Sequence, residues 1–383
     1  MTKTKELLKK NSMLIALIVV TIFFSVLTNG TLLAPQNVNN LIAQNGYVVI
    51  LAVGMLMCIL TGGNIDLSVG SIVALIGAIA GTLIVNQKMN IFFVIIICLV
   101  VGIIIGVWQG FWIAYVRIPA FIVTLTGMLL WRGVALIVLN GLTISPFPDN
   151  YLVLFNSYVP DVLQGKINLV CMIIGIAICV AFSVFNIINR KNKAKKGYDL
   201  ESIAMFIGKI VVICLVVLAT AYSLARYKGI PSILIILAVI VLAYAYYTSK
   251  TVPGRHLYAL GGNEKAAKLS GINTNKVLFG AYVNMAFLSA VAALVCVARF
   301  NSAAPTAGTN YEMDAIGACF IGGASAYGGS GTVGGAVIGA IFMGVLNNGM
   351  SIMGIDANYQ KAIKGLVLLA AVAFDVISKR KKK

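Results

Sequence analysis

The sequence predicts an all-α protein, a polytopic membrane helical bundle of about 10–12 transmembrane helices with broken or half helices among them. Three observations lead there. Of 383 residues, 60% are hydrophobic and 10% charged, with a mean hydropathy of +0.98, whereas soluble domains are roughly 45 to 50% apolar. The apolar residues fall into runs of about 20, the length at which a helix rising about 1.5 Å per residue crosses a hydrocarbon core of about 30 Å. The polar residues gather between those runs and at the ends of the chain.

In chain order, the first run (13 to 33) follows Lys3, Lys5, Lys9 and Lys10 like a signal peptide, but no small-x-small cleavage site follows it, so it reads as a retained first span. Runs at 41 to 60 and 68 to 85 flank the polar stretch TGGNIDLSVG, and runs at 91 to 115 and 120 to 139 flank Arg117. From Asn140 to Lys166, Pro146, Pro148, Asp149, Pro160 and Asp161 break any regular helix and leave a loop open to an external partner. Residues 166–226 read as a two-span insertion around the basic loop NRKNKAKKGYDLE, since two added spans preserve orientation. Runs at 232 to 249 and 277 to 298 bracket a polar island, 250–276. A short run at 314 to 323 reads as a half helix, and runs at 333 to 352 and 359 to 377 complete one transmembrane domain spanning 1–383. Asp66 and Asp314 each precede a Gly-rich apolar segment, a sign of two loosely related halves.

The net charge of +18 does not imply nucleic acid, because the basic residues lie between apolar runs and at the termini. They follow membrane orientation instead. With the N-terminus inside, Arg117, Arg190 to Lys196 and the polar island all fall on the cytoplasmic side. The C-terminal SKRKKK joins them if 314–323, together with its flanks, makes a crossing; both termini are then cytoplasmic.

Catalysis finds no support. The seven cysteines show no C-x-x-C spacing and His256 is the only histidine, so neither a metal centre nor a nucleophile with its base can be assembled. The Gly-rich stretch from Gly322 to Ala340 lacks the lysine of a phosphate loop, and Gly331, Gly335 and Gly339 at four-residue spacing suit close helix packing. The chain is expected to bind no cofactor and to hydrolyse no ATP alone.

Three polar segments are candidates for function. Asn64, Asp66 and Ser68 lie between apolar runs, where an ionisable group costs at least about 2.5 to 3.5 kcal/mol and normally faces a cavity or partner. Asp66 fits equally well as the cap of a broken helix. The segment from Arg299 to Asp314 gathers Asn301, Ser302, Thr306, Thr309, Asn310 and Tyr311, groups suited to a neutral polyol or to a plain outer loop; Glu312 and Asp314 border an apolar run and are the stronger pathway candidates. In the polar island, Glu264, Ala266, Ala267 and Gly271 spell a short exposed helix, E-x-A-A-x-x-x-G, ended by glycine.

Four motifs in order, TGGNIDLSVGS, GRHLYALGGNEKAAKLSGI, YEMDAIGACFIGGAS and GGSGTVGGAVIGA, make nearly the whole chain similar to the permease subunits of bacterial ABC importers for monosaccharides, of the ribose, xylose, galactose and multiple-sugar type. The material around 166–226 resembles the longer xylose and multiple-sugar members. The resemblance implies a multi-pass protein of the bacterial cytoplasmic (inner) membrane and a homodimeric pore with a second permease copy. It also implies cytoplasmic ATPase subunits using ATP and Mg, and an extracytoplasmic sugar-binding protein that delivers the monosaccharide. Gly262, Asn263, Glu264, Ala266, Ala267 and Gly271 would form the helix coupled to the ATPase; Asn64, Asp66, Ser68, Asn301, Glu312 and Asp314 would lie by the pathway or brace its broken helices. The alternatives are a secondary transporter driven by an ion gradient through the intramembrane carboxylates, a branched-chain amino-acid ABC permease, and a membrane scaffold or receptor.

Overall fold

The computed structural model describes residues 12–163, 165, 167–198 and 202–380; the basic clusters Lys3 to Lys10 and Lys381 to Lys383 lie outside them. The described residues form α-helices joined by short loops, with no strands beyond the isolated bridges Ile144 to Ala303 and Tyr158 to Pro231. In order they are α1 (Ser12–Leu27), α2 (Pro35–Leu60), α3 (Val69–Gly81, continued by a π turn over Thr82–Asn86), α4 (Ile91–Ala114), α5 (Ala120–Leu139) and α6 (Asp149–Asn156). There follow α7 (Leu169–Lys195), α8 (Ile203–Ala225), α9 (Ser232–Lys250), α10 (Val252–Gly262) and α11 (Glu264–Leu269). The last four are α12 (Thr274–Phe300), α13 (Tyr311–Ile321), α14 (Val333–Ile352) and α15 (Ala357–Arg380).

Nine helices among the described residues, α2 to α5, α7 to α9, α12 and α14, are long and apolar enough to cross a membrane, counting the π turn with α3. Two further helices lie close to that class: α1 has 16 residues, and α15 has 24 but carries Lys361, Lys364 and Asp375. The spans bury very different shares of their surface. α2, α3, α12 and α14 form the interior, whereas α7 and α8 stand at the periphery with outward faces free for lipid.

Polar and backbone contacts sort the loops onto two faces. On one face, the Gly329 amide donates to Leu60 O (3.1 Å), the Tyr258 hydroxyl to Gly331 O (3.0 Å) and the Ala326 amide to Asp375 (3.3 Å). Arg117 and the start of α11 share that face. On the opposite face Asn37 pairs with Asn348, Asn301 with the Phe147 amide, and Ile144 with Ala303.

The short run at 314 to 323 is indeed a half helix: α13 has 11 residues, about 16 Å of rise. The segment from Asn301 to Asn310 leaves the opposite face and descends until Gly308 meets Gly70, at the start of α3; a Cβ on Gly308 would stand 1.9 Å from Gly70 O. Loop and half helix together traverse the bundle, so the 322–332 loop and the end of α15 reach the face that carries α10 and α11. Non-helical backbone is tolerated at such depth only where protein buries it or water reaches it.

One expectation needs correction. The proline-rich stretch does not exclude a regular helix, because Pro148 sits just before α6, where its missing N–H costs nothing, and Asp149 occupies the first turn. Tyr151 of α6 is buried and donates to Leu294 O at 2.8 Å, drawing the outer loop onto α12.

Candidate functional site

The polar island folds as two helices, α10 and α11, and every joint is capped. Thr251 accepts from the Gly254 amide (3.1 Å) at the start of α10, Asn263 from the Ala266 amide (3.0 Å) at the start of α11, and Asn273 from the Lys276 amide (3.0 Å) at the start of α12. Such caps satisfy donors that helix N-termini leave open, each at about 1 kcal/mol. Gly271, at φ +81°, turns the chain out of α11, and the following Ile272 amide returns to Ala267 O at 3.1 Å. Ala267 packs inward, whereas Glu264, Ala266 and Leu269 point outward, with Leu269 90% exposed.

α10 is wedged against the body of the protein. Gly261 has its Cα so close to the end of α2 that a Cβ would fall 1.9 Å from Leu60 O, while Gly262, beside it, has open space. Tyr258 anchors the other flank on Gly331; burial pushes its hydroxyl pKa up, which keeps it a donor. Glu264 accepts from Arg117 at 2.8 Å, and Arg117, itself at φ +66° between α4 and α5, also donates to Thr274 and Asn275. A cleft of about 420 Å³ runs between these elements, with Asn64, Arg117, Asn263 and Glu264 on its walls. Asn64 thus stands with the α10 to α11 joint, apart from Asp66.

Asp66 and Ser68 belong to a buried polar chain. Asp66 Oδ1 accepts from the Ser68 amide (2.8 Å) and hydroxyl (2.6 Å), and Ser68 Oγ accepts from Gln109 Nε2 of α4 (2.6 Å). All three side chains are fully buried, and Asp66 Oδ2 and Gln109 Oε1 have no partner. The carboxylate thus accepts from the amide immediately before α3.

Glu312 and Asp314 open α13 and diverge. Asp314 pairs with Lys364 of α15 (2.9 Å) and receives the Tyr47 hydroxyl (3.4 Å), with Tyr47 stacked on Tyr311 at 4.0 Å between ring centres. Glu312 lies by Gly70, where a Cβ would come within 2.6 Å of its Oε2. Arg132 of α5 donates to Pro305 O (3.1 Å) and to Ala307 O, so a guanidinium holds the descending loop at membrane depth. Thr306 and Thr309 of that loop are exposed. Asn301, in the left-handed conformation at the end of α12, spends its side-chain oxygen on the Phe147 amide (2.8 Å) and so ties down the outer loop.

Sequence reasoning missed Gln109, Arg132, Lys364, Tyr258 and Gly261. For Arg132 the signal was present, since it is a lone cation deep in an apolar run, whereas Lys364 stands near the start of its run beside Lys361. Gly261 carried no signal distinguishing it from Gly262.

The comparisons with known proteins agree over almost the whole length. Residues 37–372 match the family model described as branched-chain amino acid transport system / permease component. The chain is 38% identical over 369 residues to the xylose transport system permease protein XylH of Haemophilus influenzae, covering 96% of each chain. With XylH of Escherichia coli K12 the identity is 37% over 96% of this chain and 92% of the relative, and with the ribose import permease protein RbsC of the same organism it is 35% over 97% and 95%. No solved structure matches. The chain therefore belongs to the family of branched-chain amino acid transport system permease components.

Proposed function

We propose that this chain is the permease subunit of an ATP-driven ABC importer that carries a monosaccharide of the xylose type into the cytoplasm. The sugar is handed over by an extracytoplasmic binding protein on the Asn301 face. ATP and Mg are used by a partner ATPase, and a second copy of this chain completes the pathway. The face with α10 and α11 is cytoplasmic in this reading, because Arg117 and the basic island 250–276 lie on it, and both termini are taken to be cytoplasmic from the pattern of basic residues in the sequence.

The observation that carries the reading is α11, a six-residue helix capped at its start, turned by glycine at its end, and presenting Leu269 to solvent. Its length and its rigid joints suit a ball that seats in a groove of the ATPase: Gly262, Asn263, Glu264, Ala266, Ala267 and Gly271 shape it. Movement imposed on it passes through Gly261 into α2 and through Arg117 into α4 and α5 as a rigid-body shift. The full-length likeness to xylose and ribose permeases supports the sugar.

Pathway residues in this reading are polar groups that stand at membrane depth. Arg132 holds the descending loop on which Thr306 and Thr309 are exposed, and Asp66, Ser68 and Glu312 brace the broken helices beside it. Asn64 lies at the cytoplasmic mouth, Asp314 holds α13 in place, and Asn301 fixes the outer rim. Contacts of this kind are weak and neutral-seeking, and selection rests with the binding protein.

Reconstitution tests the whole. Proteoliposomes holding this chain with a cognate ABC ATPase and sugar-binding protein are expected to take up xylose only when ATP is supplied. Uptake by the chain alone under a proton gradient, or uptake of leucine in place of sugar, overturns the reading.

A further inference from the structure

Between α9, α10 and the first turns of α12 lies a cavity of about 860 Å³ that the proposed transport function does not use. Its size falls in the range, about 300 to 1,000 Å³, of pockets that enclose most of a ligand. Met57, Ala243, Val277 and Ala281 give it apolar walls, while Lys276 and His256 stand at its rim and no acidic side chain lines it. Neither ion pair among the described residues engages Lys276. Tyr244, Tyr246 and Tyr247 line it from α9, near the Lys250 end of that span, and such rings concentrate where hydrocarbon gives way to head groups.

We infer that this groove binds an anionic phospholipid, its phosphate at Lys276 and His256 and an acyl chain laid along Met57, Val277 and Ala281. A basic pocket between helices at the membrane surface recognises anionic head groups through a point charge such as the Lys276 ammonium. A zwitterionic lipid brings its own amine to the rim, where Lys276 repels it. Gly271, Ile272 and Asn273, the joint between α11 and α12, also line the groove, so the bound lipid stiffens the segment that carries α11.

The test uses the full-length chain, purified in mild detergent, offered equal phosphatidylglycerol and phosphatidylcholine and weighed by native mass spectrometry. Retention of phosphatidylglycerol in preference is expected. Lys276→Gln, an exposed change that leaves the fold intact, lowers that preference about fivefold, the worth of one basic group beside an anionic surface. Gly280→Phe, at a groove-lining position where a Cβ meets nothing within 4 Å, is expected to abolish retention by crowding the groove. Equal retention of both lipids, no retention of either, or undiminished phosphatidylglycerol on Lys276→Gln overturns the inference.

Discussion

Arg117 Nη1 lies 2.8 Å from Glu264 Oε1, joining the turn between α4 and α5 to the start of α11. Both side chains are roughly half exposed (42% and 46%), so the pair adds little to stability, of the order of 0 to 1 kcal/mol. Its worth is in direction. Glu264→Arg places two cations face to face at that joint and is expected to lower sugar uptake at least tenfold with normal membrane insertion. Transport assays beside quantitative blotting of membranes decide it, and unchanged uptake would speak for a scaffold.

Neighbouring glycines offer a sharper contrast. Gly261→Ala drives a Cβ into Leu60 O and the Gly329 amide, whereas Gly262→Ala meets open space. Overpacking of this kind costs about 1 to 3 kcal/mol. The first variant is expected to melt several degrees lower and to couple poorly; the second should match the parent in thermal-shift measurements.

The Asp314 to Lys364 pair predicts a rescue. Lys364→Met strands a carboxylate that is nearly all buried, at about 3 kcal/mol, the low end of the range for broken buried pairs because the Lys364 side chain is 20% exposed. Adding Asp314→Asn removes the stranded charge. The double variant is expected to regain most of the melting temperature lost by the single one, and a double variant no better than Lys364→Met refutes a charge-based role.

Arg132→Leu leaves the Pro305 and Ala307 carbonyls without their donor. Hydrogen bonds to charged groups contribute roughly 1.5 to 3 kcal/mol each, enough to free the descending loop. Uptake is expected to fall at least tenfold while the ATPase still binds the membrane complex, as read by co-purification.

Much of the bundle was legible because lipid enforces a simple rule on length. Spans such as 91 to 115 and 232 to 249 had to be apolar, and α4 and α9 occupy them. The half helix at 314 to 323 could be read the same way, from a run too short to cross. What composition could not show was the descent of Asn301 to Asn310, since a loop at membrane depth and one in water use the same Thr, Asn and Gly. α10 was hidden for a related reason. VPGRHLYALGG has the polarity of a loop, and its helix depends on the Thr251 cap, Pro253 in the first turn and packing of Leu257 and Leu260.

The candidate residues were less legible than the helices. Glu264 was found from its motif, but its partner Arg117 lies far away in sequence and nothing local announces the pair. Asp66 and Ser68 were named together from the sequence, and the structure joins them and adds Gln109. Long-range partners of this kind are set by how helices pack, and a single chain of letters carries little trace of that.

The peripheral hairpin of α7 and α8 begins and ends at nearly one point. The Ser157 amide donates to Ser232 Oγ at 3.1 Å although the two residues are 75 apart, and the Val159 amide reaches Ile230 O. The intervening chain is therefore a closed excursion, clipped at its neck. Splicing across that neck would shorten the molecule by two spans without rerouting any other strand of the path, which makes this the natural place to graft or exchange a membrane module.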